Sequence, residues 1–104
     1  MIRFIAASLA AVVTVLSGTV ALAADPVAGK ALALDVCSGC HLVASGQASP
    51  ASDGVPGFAA LAKDPAMTDE RLRGFVVAPH PIMPRVTLTA TEIDAIVAYI
   101  ASLR

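Results

Sequence analysis

Cys37-Ser38-Gly39-Cys40-His41 contains both cysteines of the chain and one of its two histidines. Two thiols separated by two residues, with a histidine directly after the second, form the attachment pattern for c-type haem. The spacing has a geometric reason. On one helical turn, cysteines three positions apart share a face and reach the two vinyl groups of one porphyrin. The next residue then turns its imidazole toward the iron from the same side. The motif predicts one haem c, covalent through Cys37 and Cys40, with His41 as an iron ligand. Two other chemistries use these residue types. A redox-active disulfide belongs to a βαβ setting that this chain lacks. A zinc site built from Cys37, Cys40, His41 and His80 requires adjacent Cys40 and His41 to fill two tetrahedral corners together, which their spacing disfavours.

Upstream of the motif, Arg3 precedes the apolar run Phe4 to Leu16, which leads to Val20-Ala21-Leu22-Ala23-Ala24. A charged start, an apolar middle and a small-residue exit are the parts of a secretory signal. The expected organisation is a cleaved signal peptide over residues 1–23, with cleavage after Ala24 the near alternative, and one small domain over 24–104. Export predicts a periplasmic location. An uncleaved anchor is the competing reading, because the apolar span to Ala24 nearly reaches bilayer length; membrane contact is expected only in that case.

The 57% hydrophobic content is inflated by this leader and does not indicate an integral membrane protein. Residues 24–104 carry six basic and eight acidic side chains, a formal charge of −2 before any cofactor. There is no basic patch, aromatic interleaving or run of like charge, so nucleic-acid binding has no support. A domain of about 80 residues is hard to stabilise alone and usually needs a staple. A Cys37–Cys40 disulfide would close too small a loop to restrain the unfolded chain much. A covalently held haem at the centre is a far better core.

The remaining pattern is helical. Asp25 and Pro26 make an N-cap and first-turn pair, and Val27 to Val36 runs into the motif with few breakers. Leu42 to Gly57 is rich in Ala, Ser, Gly and Pro and predicts a long loop wrapped around something. Phe58 to Lys63 predicts a short helix ended by Asp64-Pro65. Thr68-Asp69-Glu70 starts another, with Leu72, Phe75 and Val76 on one face and Pro79 as its stop. Thr89-Ala90-Thr91-Glu92 is a capping box ahead of the stripe Ile93, Ile96, Val97, Ile100 and Leu103. No segment alternates as a strand does. The expected fold is all-α, about four helices joined by irregular loops around one covalently bound haem.

The second axial ligand decides what the iron does. Met83 lies between Pro81 and Pro84, which fix the backbone without regular structure, and His/Met ligation suits reversible electron transfer. Its competitors as ligand are His80, which reads as an exposed loop histidine, and Met67, which reads as filler for an apolar gap or a cap of the turn before the third helix. On these residues the chain resembles the class I monohaem cytochromes c of bacteria: Cys37-x-x-Cys40-His41, then Met83-Pro84, then a last helix with Val97-Ala98-Tyr99-Ile100. The resemblance implies the small cytochrome c fold, with N- and C-terminal helices crossing and a glycine of the first packed against an aromatic of the last. Gly29 and Tyr99 match those positions, and Tyr99 is accordingly expected among the cofactor-binding residues. Where the family usually has an aromatic four residues before the first cysteine, this chain has Ala33. The family's proline carbonyl that accepts the proximal imidazole N–H maps best onto Pro56.

The function implied is single-electron Fe(II)/Fe(III) cycling without enzymatic chemistry. Transient redox protein partners, a membrane respiratory complex or a soluble dehydrogenase or oxidase, are expected. A dedicated haem subunit of a larger dehydrogenase or oxidase fits the same sequence. An open-site haem enzyme or gas sensor requires that Met83 not ligate.

Overall fold

The computed structural model describes residues 12–15, 17–18, 23–47, 52–78 and 83–104. Most of the expected leader, and His80, lie outside them. Four helices form among the described residues: α1 (Pro26–Val36), α2 (Phe58–Lys63), α3 (Asp69–Val77) and α4 (Ala90–Ala101). No strand is present among the described residues, and none of the helices is long and apolar enough to cross a membrane.

Three of the four helices start at a side-chain cap, and α2 starts at Gly57 without one. The Asp25 carboxylate accepts from Val27 N at 2.9 Å with Pro26 in the first turn. Thr68 Oγ1 accepts from Arg71 N at 3.2 Å. At α4 the capping box is reciprocal: Glu92 N donates to Thr89 Oγ1 at 3.2 Å and Thr89 N to Glu92 Oε1 at 2.9 Å. Orphan amides at a helix start cost about 1 kcal/mol each when such a cap is removed.

Helix α4 is the hub, packed most extensively on α1 and then on α3 and α2. Its stripe behaves as the period requires: Ile96, Val97 and Ile100 are buried, and Ile93 and Leu103 pack partly buried against them. The core they build also takes in Ala33, Val43, Phe58, Ala62, Leu72 and Tyr99. Burying aliphatic side chains of this size contributes roughly 1.5–3 kcal/mol each.

The α1–α4 crossing is set by Gly29. A Cβ placed there would stand 1.9 Å from the Ala95 carbonyl oxygen and 2.4 Å from its carbon. Those are backbone atoms, with no rotamer to move them aside. The close helix approach expected at Gly29 is thus made against the backbone of α4. The atoms nearest it belong to Ala95 and Ile96, one turn before Tyr99, because the helices touch backbone to backbone here. Ala33, one turn along from Gly29, is fully buried; at so close an approach a methyl group fills the space that an aromatic ring would need a wider gap to enter.

Candidate functional site

Regular helix stops at Val36, and the Cys-x-x-Cys-His segment continues as one hydrogen-bonded turn. Cys40 N and His41 N both donate to Cys37 O, at 3.2 and 2.9 Å. The helical spacing anticipated from the sequence thus survives as a single turn outside α1. Gly39 is a weak helix former, and the Ser38 hydroxyl bonds back to Leu34 O, a local competitor that loosens a helix end. Cys37 is half-buried and Cys40 exposed, and both are free thiols. Burial pushes the Cys37 thiol up from its ordinary value.

Beyond the turn, the chain is fastened carbonyl by carbonyl. Cys40 O accepts from Ser52 N at 3.0 Å and Leu42 O from Phe58 N at 2.9 Å. Val43 O accepts from the buried Tyr99 hydroxyl at 2.7 Å. These bonds dock the loop onto α2 and α4 and leave the face bearing Cys37, Cys40 and His41 open to a cavity of about 630 Å³. The lining is mostly apolar: Val36, Leu61, Leu72, Phe75, Val76, Val86, Leu88, Ile96 and Ile100 contribute to it. Asp53 is the one formally charged residue among the described lining residues.

His41 Nδ1 lies 2.7 Å from Pro56 O. A carbonyl oxygen only accepts, so the proton sits on Nδ1 and the Nε2 lone pair is left for a metal. The ring is further held by Phe58, centroid to centroid 5.5 Å. Met83 and Pro84 line the same cavity, which brings together Cys37, Cys40, His41, Pro56 and Met83.

Tyr99 does not join them. It is absent from the lining, stands behind Phe58 with centroids 6.3 Å apart, and spends its hydroxyl on Val43 O. Its hydroxyl holds the loop, and the residues that α4 contributes to the cavity lining are Ile96 and Ile100. Burial raises the Tyr99 phenol above its ordinary value. Met67 also lines the cavity, but packs against the core with its amide tied to Asp64 O at 3.0 Å, as a gap-filler would.

The site fits a covalent haem. Its volume lies within the roughly 300–1,000 Å³ span of cofactor pockets. Its walls are apolar, two free thiols stand three residues apart, and an imidazole with a fixed tautomer and a thioether offer the donors haem iron takes. No group of three or more His, Cys, Asp or Glu among the described residues forms another metal site.

Comparison with known proteins decides the family. The cytochrome c family model matches residues 26–104. The chain belongs to the cytochrome c family. It is 48% identical over 88 residues to cytochrome c-552 of Bradyrhizobium diazoefficiens, an alignment covering 85% of this chain and 84% of that one. No solved structure matches it. As a cytochrome c the chain carries covalently bound haem c, transfers electrons with redox partners and is an electron carrier, not an enzyme.

The sequence reading missed Gln47. Its side chain lies between the haem-attachment turn and the loop that follows. Its only sequence signal is that an amide stands alone in an Ala/Ser/Gly stretch, six residues past His41.

Proposed function

We propose that this cytochrome c is an exported single-electron carrier of the periplasm, its haem iron ligated by His41 and Met83. Haem c supplies reversible one-electron Fe(II)/Fe(III) chemistry when bound. The chain's residues do the rest. Cys37 and Cys40 anchor the group by thioethers, so it stays in place through turnover. Pro56 O holds the His41 Nδ1 proton, which orients the ring and raises the basicity of Nε2. Met83, next to Pro84, would offer the iron a soft thioether donor, which favours the reduced state relative to a second imidazole. The apolar walls give the group a surface of low polarity on which to pack. Residues 1–23 act as the leader that delivers the chain to the compartment where haem is attached.

The observation that carries this reading is the pairing, on one apolar cavity, of a Pro56-bound imidazole with the Met83 thioether. The outward side of the cavity offers a transient partner a small contact, expected to bury less than about 1,200 Å². The test is the absorption spectrum of the ferric, haem-loaded protein. A sulfur-to-iron charge-transfer band is expected in the native chain and absent in Met83→Ala. Ready carbon monoxide binding by the ferrous native protein would overturn the reading, because it requires an open iron.

A further inference from the structure

We propose that Gln47 is a positioning residue for His41, holding the backbone from which the axial imidazole hangs. The proposal rests on His41 as the iron ligand. Gln47 uses both halves of its amide. Oε1 accepts from Val43 N at 2.8 Å and from Ala44 N at 3.4 Å. Nε2 donates to His41 O at 2.9 Å and to Ser38 O at 3.4 Å. Turning the amide over would set an oxygen against two carbonyls and an NH₂ against two amides, so its orientation is determined by its partners.

The backbone brings this side chain into place. Gln47 N bonds to Ala44 O at 3.4 Å, and Gly46, at the third position of that turn, has φ +75°. A type II turn needs such a residue there. The reversal sends the Gln47 side chain back across the loop to the attachment turn. The carbonyls of Cys40, Leu42 and Val43 are taken by Ser52 N, Phe58 N and the Tyr99 hydroxyl. His41 O is taken by Gln47. The imidazole is thereby fixed at both ends: Pro56 O holds its ring, and Gln47 holds its main chain.

The two halves of the amide can be tested apart. Gln47→Glu keeps the acceptor for Val43 and Ala44 but replaces the donor with an oxygen facing two carbonyls. Gln47→Leu removes both halves at similar volume. In ferrous, haem-loaded protein, exchange of the His41 Nδ1 proton is followed by nuclear magnetic resonance beside the core amides of Ile96 and Ile100. Exchange at His41 is expected to quicken about fivefold or more in both variants, the effect of one ordinary hydrogen bond, with a shift in reduction potential. The α4 amides are expected to change much less. If His41 and α4 accelerate equally, or if Gln47→Glu matches the native protein, Gln47 is a scaffold residue and the proposal is overturned. Should Gln47→Leu fail to load haem, the isosteric Gln47→Glu carries the test. A native protein whose His41 ring signals are not shifted by haem would overturn the ligation itself; unchanged exchange beside shifted signals would overturn the role of Gln47 alone.

Discussion

Gly29→Ala tests the helix crossing that closes the fold. The added methyl would sit 1.9 Å from Ala95 O, whereas ordinary contact begins at 3.4 Å, so α1 and α4 must part by about 1.5 Å. A gap of 0.5–1 Å already forfeits about a quarter to a half of each dispersion contact, and the contacts at risk include buried Ala33 and Ile96. Strain of this kind costs about 1–3 kcal/mol where side chains can yield; with rigid backbone on both sides the upper end applies. Alanine returns up to about 1 kcal/mol through helix propensity. The net loss expected is about 2 kcal/mol, or a Tm lowered by about 8–16 °C for a domain this size. Urea and thermal unfolding of the haem-loaded protein read it directly. Gly74→Ala is the matched control, since nothing lies within 4 Å of its built Cβ; the same substitution there is expected to stabilise by up to about 1 kcal/mol. A Gly29→Ala protein within about 0.5 kcal/mol of native would refute the close crossing.

Other substitutions separate the loop's fastenings from the cofactor's ligands. Tyr99→Phe removes the bond to Val43 O and is expected to cost about 1–2 kcal/mol in urea unfolding while leaving the ferric spectrum unchanged. Because burial raises the folded-state value of this phenol, its contribution is fully present below the ordinary value of 10.0 and is lost as pH climbs through the raised folded-state value. The stability gap between native protein and Tyr99→Phe should therefore narrow under strongly alkaline conditions; a gap independent of pH would contradict the assignment. Gly46→Ala forces an L-residue to φ +75°, with an expected cost of about 1–2 kcal/mol and the same loosening of His41 as in the Gln47 variants. Arg73→Ala removes the pair with Asp94, whose side chains are 44% and 45% exposed, and is expected to cost less than about 1 kcal/mol, shrinking further in high salt. The haem-free chain is expected to lack fixed tertiary packing, which near-ultraviolet circular dichroism would show.

What the sequence made legible is what local chemistry governs. Asp25-Pro26, Thr68 and the Thr89–Glu92 box each announced a helix start through the amides that they cap, and the Ile96–Ile100 stripe announced its buried face through its period. Cys37, Cys40 and His41 named the cofactor because their spacing matches its chemistry. Met83 was reached through its place between Pro81 and Pro84 and its ligand chemistry, Pro56 only through family resemblance; nothing local distinguishes the Pro56 carbonyl from that of Pro50. The atoms that meet Gly29 and the Tyr99 hydroxyl were not legible because both lie more than 50 positions away in sequence, and the register of one helix on another decides which atoms meet. Gln47 was invisible for a related reason. An amide in a polar loop looks like a solvated side chain until the turn at Gly46 folds it back onto His41.

The central claim is that His41 and Met83 make this cytochrome c a one-electron carrier. A redox titration of the haem-loaded protein followed by its absorption spectrum tests this most directly. One reversible single-electron step is expected, traced identically in both directions, with a lower potential in Met83→Ala. A native protein that titrates irreversibly, or whose potential is indifferent to Met83, would contradict it.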